Sequence, residues 1–88
     1  MKRSDKPSPG ISEIDIHGMN KDQAKIFIES RLKNAPRSIY RLRIIHGYHG
    51  GTELKDMVRK EIGANKKVLR VESGLNPGET DLVLRELF

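Results

Sequence analysis

The sequence predicts an α/β fold, a two-layer β-α-β-α-β-β sandwich with two helices on a mixed four-stranded sheet. Two strand-then-helix units follow each other in the chain, and crossovers of this length make their strands parallel. The last two predicted strands are joined by a turn too short for a parallel crossover, so the fourth strand must run antiparallel to one neighbour. With 88 residues, the chain has room for one small domain, which we assign to residues 11–88.

The first unit follows a polar, proline-punctuated segment, residues 1–10, that we interpret as a flexible basic arm. Over residues 11–17, isoleucine alternates with polar residues, which predicts a half-buried strand. Asn20, with Gln23 three residues later, forms a capping-box pattern at the start of a helix. Apolar residues then recur at helical spacing until Asn34-Ala35-Pro36 ends the pattern.

The second unit repeats this order. Residues 40–45 predict the second strand, and Thr52 is placed to cap a second helix that ends at Gly63, where a left-handed residue is expected. The apolar residues of that helix are Leu54, Met57, Val58 and Ile62. Residues 66–72 and 81–87 predict the third and fourth strands, on either side of a glycine- and proline-rich turn.

Each of the first two strands ends in a histidine-glycine step, Asp15-Ile16-His17-Gly18 and Ile44-Ile45-His46-Gly47. The ends of parallel strands meet at one edge of the sheet, where open α/β folds place their ligand sites. Histidine titrates near neutral pH, and a neighbouring carboxylate fixes its tautomer or raises its pKa. The pattern therefore predicts a catalytic site for phosphodiester cleavage formed by Asp15, His17 and His46.

The substrate of such a site is open between two nucleic acids. On RNA, a base deprotonates the 2′-hydroxyl and an acid protonates the leaving 5′ oxygen, which requires no metal. On DNA, water must attack, and a divalent ion such as Mg²⁺ or Mn²⁺ bound through Asp15 is the expected device. The sequence does not choose between these routes, so the metal requirement stays open.

A glycine-rich segment, His46-Gly47-Tyr48-His49-Gly50-Gly51-Thr52, follows the second strand. Glycines there let backbone N–H groups face a phosphate at a helix N-terminus, although they also suit a simple tight connection. An aromatic ring in the loop can stack on a base. The predicted nucleic-acid-binding residues are Gly18, Gly47, Tyr48, His49, Gly50, Gly51 and Thr52, together with Arg41 and Arg43 on the sheet face that the helices leave open.

The amino-acid composition narrows the class of binding partner. The net charge of +5 and a pI near 9.7 favour anionic partners, with nucleic acid foremost. Cysteine is absent, which excludes disulfides and thiolate metal sites. No apolar run approaches the roughly 20 residues of a membrane span, so we expect a cytoplasmic protein. We also expect the protein to be a monomer.

These segments resemble a known family. Asp15-Ile16-His17-Gly18, Ile44-Ile45-His46-Gly47 with its glycine-rich turn, and the closing turn Asn76-Pro77-Gly78-Glu79-Thr80 are similar to the signature segments of the Smr (small MutS-related) domain. The resemblance implies a β-α-β-α-β-β fold shared with the C-terminal domain of translation initiation factor 3. It also implies nucleic-acid binding and, in many members, endonuclease activity on DNA or on RNA, including messenger RNA on ribosomes.

The resemblance ties catalysis to the D-x-H segment, here Asp15 and His17, and assigns His46, Gly47 and the following glycines to the site. The usual second segment is similar to H-G-x-G-x-G-x-L, whereas this chain is one residue longer and has Tyr48-His49 before the glycines.

Three hypotheses follow. The first is an endonuclease, and the second is a non-catalytic module that binds nucleic acid or the ribosome through Arg41, Arg43 and Lys66-Lys67. The third is a protein-interaction or small-molecule domain, which the low aromatic content of 5% disfavours.

Overall fold

The computed structural model describes residues 10–47, 52–73 and 77–86. Its helices and strands are, in chain order, β1 (Ile11–Asp15), α1 (Lys21–Asn34), β2 (Arg41–Ile45), α2 (Glu53–Asp56) continued by a π-helical segment (Met57–Ile62), β3 (Arg70–Ser73) and β4 (Glu79–Val83). The predicted β-α-β-α-β-β architecture is confirmed. Three predicted features fall outside the described residues: the arm up to residue 9, loop residues 48–51 and turn residues 74–76.

The four strands form one mixed sheet in the order β1-β2-β4-β3. β1 and β2 pair in parallel, with Asp15 beside Ile45, as the crossover argument predicts. β4 is inserted between β2 and β3 and runs antiparallel to both. The prediction that β4 is antiparallel to one neighbour was therefore incomplete, because a short connection fixes the local hairpin and not the second partner.

The strand boundaries differ from those predicted. β1 ends at Asp15 because a turn follows, although the N–H of Ile16 still donates to the carbonyl of Ile45 at 2.9 Å. β3 begins late, since Asn65 accepts backbone hydrogen bonds from Lys67 and Val68 and so forms a turn there. β4 begins earlier than expected, at Glu79, and ends at Val83.

α1 begins as predicted, at a complete capping box. The side chain of Asn20 accepts from the backbone N–H of Gln23, and the Gln23 side chain accepts in return from the N–H of Asn20. Its inward stripe is Ala24, Ile28 and Leu32, all buried. This stripe packs on Ile14, Ile44 and Leu82 of the sheet, which are also buried. No helix in the described ranges has the length and apolar character that a bilayer crossing requires.

The second helix departs from expectation at both ends. Thr52 precedes it but makes no capping hydrogen bond, and its hydroxyl lies 3.2 Å from Oδ2 of Asp56. After one α-helical turn the chain widens into the π-helical segment, whose inward residues Met57, Val58 and Ile62 remain buried.

The prediction of a left-handed Gly63 was wrong, since its φ is −62°. The glycine is needed for space instead. A Cβ there would lie 2.4 Å from the carbonyl oxygen of Arg59 and 2.8 Å from Cγ2 of Val71.

Candidate functional site

Asp15 and His17 form a hydrogen-bonded pair at the end of β1. Nδ1 of His17 lies 2.6 Å from Oδ1 of Asp15, and the same oxygen accepts the backbone N–H of His17 at 3.1 Å. Both side chains are exposed, at 68% for His17 and 54% for Asp15. The Asp15 carboxylate thus holds the His17 ring through Nδ1, while the second ring nitrogen of His17, Nε2, remains available to a substrate.

The sequence creates this pair locally. Ile16, between the two residues, is fully buried and anchors the segment in the core. A turn follows in which the N–H of Met19 donates to the carbonyl of Ile16 at 3.0 Å. Gly18 occupies its third position with φ of +87°, the conformation that a type II turn requires there. His17 is therefore presented at the exposed corner of a rigid turn.

Asp15 controls the protonation of this histidine. Its hydrogen bond, and then its negative charge, raise the pKa of His17 above the ordinary value of 6.5. Because a carboxylate can only accept, the neutral ring carries its proton on Nδ1 and leaves the lone pair of Nε2 as a base. The pair therefore favours the protonated ring more than an isolated histidine does.

The two histidine-glycine steps meet at Gly47. A Cβ built on Gly47 would lie 3.4 Å from Cβ of His17, so the second step lies directly beside the first. Gly47 also has φ of +80°, which favours glycine. The sheet edge therefore brings Asp15, His17 and Gly47 together, whereas the prediction had placed the side chain of His46 in this group.

His46 occupies a different environment, because it is only 5% exposed. Its Nδ1 lies 2.9 Å from the carbonyl oxygen of Gly47, and its Nε2 lies 2.8 Å from the hydroxyl of Thr80. The carbonyl can only accept, so Nδ1 donates to it and the neutral ring accepts from Thr80 through Nε2. Both ring nitrogens are therefore bound to the protein.

Sequence reasoning missed the residues of β4 and its preceding turn that hold the second step. The carbonyl of Gly78 accepts from the N–H groups of His46 and Gly47, at 2.9 and 3.0 Å. Thr80 is fully buried beneath His46. The available signal was the closing motif Asn76-Pro77-Gly78-Glu79-Thr80, which was used to identify the fold and not the site.

The glycine-rich loop is only partly described. Tyr48, His49, Gly50 and Gly51 lie outside the described residues. Thr52 is exposed and its hydroxyl donates to Asp56. The first turn of α2 is acidic, with Glu53 and Asp56, which does not favour an anion at this helix end.

Arg41 and Arg43 lie on the sheet face opposite the helices, where they flank Asp81. Arg41 Nη1 lies 2.7 Å from Asp81 Oδ2, and Arg43 Nε lies 3.1 Å from Asp81 Oδ1. Asp81 is 2% exposed. Arg41 also contacts Glu72 at 3.1 Å, and Arg43 lies 4.0 Å from Glu79. The hydrogen bonds to Asp81 raise the pKa of both arginines, and the structure pairs both with carboxylates.

A divalent ion, as predicted for cleavage of DNA, would need side-chain ligands at the site. Residues 10–47, 52–73 and 77–86 contain no group of three or more histidine, aspartate or glutamate side chains suited to a metal ion. Asp15, the candidate ligand, already accepts two hydrogen bonds from His17 through Oδ1. The described residues therefore contain no preformed cage for a divalent ion, and Asp15 is the carboxylate at this end of β1 that could contribute a ligand.

Comparisons with known proteins agree with this fold. The crystal structure of the Smr domain of MutS2 from Thermus thermophilus superposes with a TM-score of 0.74 at 24% sequence identity, and the match covers 85% of this chain and 99% of that chain. No curated protein matches the sequence. The family model described as the Smr domain matches residues 14–80, well over half of the chain. The chain therefore belongs to the Smr domain family.

Proposed function

We propose that this Smr domain binds nucleic acid and is an endonuclease that cleaves phosphodiester bonds with the Asp15–His17 pair. The observation that carries the proposal is the 2.6 Å contact between Oδ1 of Asp15 and Nδ1 of His17, which leaves Nε2 of an exposed histidine free. Family membership supports nucleic acid as the partner, and the net charge of +5 agrees with an anionic ligand.

In this proposal His17 is the general base. Its Nε2 takes the proton of the attacking hydroxyl, which is the 2′-hydroxyl of RNA or a water molecule on DNA. The new P–O bond forms as the bond to the 5′ oxygen breaks, and that oxygen takes up a proton from a solvent water molecule as it leaves. Asp15 keeps the ring oriented and stabilises the protonated form. A positioned base of this kind contributes roughly 10²- to 10⁴-fold to the rate.

His46, one of the three predicted catalytic residues, serves in this proposal as a positioning residue. Its ring links the carbonyl of Gly47 to the hydroxyl of Thr80. Because Gly47 lies against Cβ of His17, this link fixes the position of the Gly47 backbone beside the reacting histidine. The role of Gly47 and Gly18 is then to allow the two tight turns that bring the backbone close to the substrate.

The alternative is a non-catalytic module that binds nucleic acid or the ribosome. One observation favours it: both ring nitrogens of His46 are engaged with the protein. Of the two histidines that the structure describes, His17 alone therefore offers a free ring nitrogen. A single base without a matched acid suits a slow nuclease or a binding module.

The test compares wild type with Asp15→Asn and His17→Ala on a labelled RNA hairpin and on duplex and branched DNA, each with EDTA and with Mg²⁺ or Mn²⁺. Binding is measured by fluorescence anisotropy and cleavage by gel. We expect each variant to lower the cleavage rate by about 10²-fold or more while binding changes little.

The matched control is Glu13→Gln, which alters a carboxylate two residues before Asp15 on the same strand. It should cleave at the wild-type rate within about twofold. Undiminished cleavage by both site variants would refute the assignment of Asp15 and His17. Binding by the wild type without cleavage of any substrate would establish the alternative.

A further inference from the structure

A basic groove lies between the end of α1 and the turn that leads into β3. It has a volume of about 640 Å³ and continues into a second depression of about 260 Å³. The two share Leu32, Lys66 and Lys67, so they form one groove. Its charged lining is Lys33, Lys66, Lys67 and Arg85, against the carboxylate of Glu29. We call this feature the lysine groove.

The lysines of this groove are presented on a rigid frame. Asn65 shapes the turn: its side chain accepts the backbone N–H of Lys67 at 2.8 Å and its carbonyl accepts that of Val68 at 2.9 Å. Leu32 of the groove lining and Val68, which follows Lys67 in the chain, are buried in the core. Lys66 and Lys67 are exposed on a turn that is held by hydrogen bonds at Asn65 and anchored by Val68.

These lysines differ from the arginines of the sheet face in their partners. Arg41 and Arg43 pair with Asp81, Glu72 and Glu79. Lys33, Lys66 and Lys67 form no ion pair with any carboxylate in the part of the chain that the structure describes. An unpaired lysine can neutralise a phosphate and release the counterions condensed on the nucleic acid. A paired arginine must first give up its internal carboxylate. The binding role predicted for basic residues is thus better met by the groove than by the sheet face.

The groove and the Asp15–His17 pair lie at opposite ends of α1. The pair precedes the capping residue Asn20, and the groove includes Lys33 in the last turn. α1 has 14 residues, so at 1.5 Å per residue the two regions are separated by about 21 Å along the helix. This corresponds to roughly six steps of a nucleic-acid strand at 3.4 Å each.

We propose that the lysine groove binds the phosphate backbone of the same nucleic acid on which the Asp15–His17 pair acts, about six nucleotides from the reacting phosphate. The proposal rests on the proposed function for the identity of the ligand. A phosphate backbone needs only positioned cations, whereas protein partners need buried aromatic or arginine anchors. No aromatic side chain is among the described residues that line the groove.

The test measures binding alone, with a fluorescein-labelled 20-nucleotide hairpin of 2′-O-methyl RNA that cannot react by 2′-hydroxyl attack, and with a 20-base-pair DNA duplex, in EDTA. Lys66→Glu and Lys67→Glu should each weaken binding about tenfold. The double variant Lys66→Ala/Lys67→Ala should lower the slope of log K against log salt by about 1.5. Both sites are exposed, so folding of the three variants is checked by circular dichroism and should be unchanged.

Lys60→Glu is the matched control, because Lys60 is an exposed lysine of the π-helical segment that makes no ion pair in the described ranges. It should weaken binding by less than about threefold. Equal effects of Lys60→Glu and of the groove variants on binding would overturn the proposal. It would also be overturned if polyglutamate displaced the labelled probe as effectively as unlabelled RNA. Because binding is read without cleavage, absence of nuclease activity leaves this test intact and counts only against the proposed function.

Discussion

Asp15 and His17 are joined by their spacing in the sequence more than by the rest of the fold. Asp15 is the last residue of β1 and His17 begins the turn that follows, and the buried Ile16 between them anchors the segment in the core. The carboxylate then meets both the ring and the backbone N–H of His17. The D-x-H pattern thus predicts that Asp15 and His17 act together, while the structure adds that both are exposed and that the pKa of His17 is raised.

The first prediction concerns the titration of His17. Asp15 raises the pKa of His17, so its Cε1 proton resonance should titrate above pH 6.5, and Asp15→Asn should return the midpoint toward that value. A raised folded-state pKa means that the pair stabilises the protein below about pH 6.5 and loses this effect as pH rises through the folded-state pKa. The neutral base accumulates over the same interval, so the cleavage rate should rise with pH there.

The measurement is an NMR titration of wild type, Asp15→Asn and the control Glu13→Gln. The control should keep the midpoint of His17 within about 0.2 units, since the carboxylate that raises the pKa of His17 is that of Asp15. A midpoint that is the same in Asp15→Asn and in wild type would contradict the role given to Asp15.

At the level of helices and strands, local patterns predicted what local interactions determine. The capping box at Asn20, the buried stripe of α1 and the parallel pairing of β1 with β2 followed from spacing alone. The position of β4 between β2 and β3 did not, because strand order is decided by side-chain contacts far apart in sequence. The π-helical segment was missed for a different reason, since the spacing of its buried residues Met57, Val58 and Ile62 suits an α-helix as well as a single π-helical turn.

This nonlocal pairing also explains why Thr80 was missed. Only the insertion of β4 beside β2, with Thr80 opposite Ile44, brings its hydroxyl beneath the ring of His46. The sequence pattern predicted that His46 lies at the edge of the sheet. It did not predict that the ring points inward, because the partner that holds it is 34 residues away.

The second prediction tests this link between β2 and β4. Thr80→Val keeps the shape of a fully buried side chain but removes the hydroxyl that donates to His46. An unsatisfied buried ring nitrogen costs about 1–3 kcal/mol, so the free energy of unfolding should fall by that amount in urea titrations. Thr52→Val is the control, because Thr52 is exposed and its loss should cost below about 0.5 kcal/mol. Equal losses in the two variants would show that the buried hydrogen bond has no special weight.

Across the whole molecule, charge is divided between two regions with different partners. The sheet face opposite the helices neutralises its arginines internally, with Asp81 at the centre and Glu72 and Glu79 on either side. The lysine groove leaves its cations open to solvent. The unpaired cations are thus those of the groove and not those of the sheet face, so under the proposed binding mode stability and binding depend on different basic residues.

The third prediction separates these two uses of charge. Asp81→Asn removes the carboxylate between Arg41 and Arg43, whose side chains are 21% and 16% exposed. Breaking a buried pair costs about 3–5 kcal/mol, and partial exposure of the arginines reduces this to about 2–3 kcal/mol. Unfolding in urea measures this loss. Glu86→Gln, which disrupts the exposed pair with Arg70, should cost below about 1 kcal/mol.

Nucleic-acid binding should respond in a different way. Asp81→Asn frees two arginines on the sheet face, so at temperatures where the variant stays folded its affinity should rise or stay constant, and its salt dependence should not fall. If Arg41 and Arg43 instead formed the phosphate-binding surface in their observed geometry, Asp81 would be the residue that orients them and Asp81→Asn would weaken binding. The sign of that change therefore decides whether the acidic centre of the sheet serves stability alone, which is what its burial and its two guanidinium partners indicate.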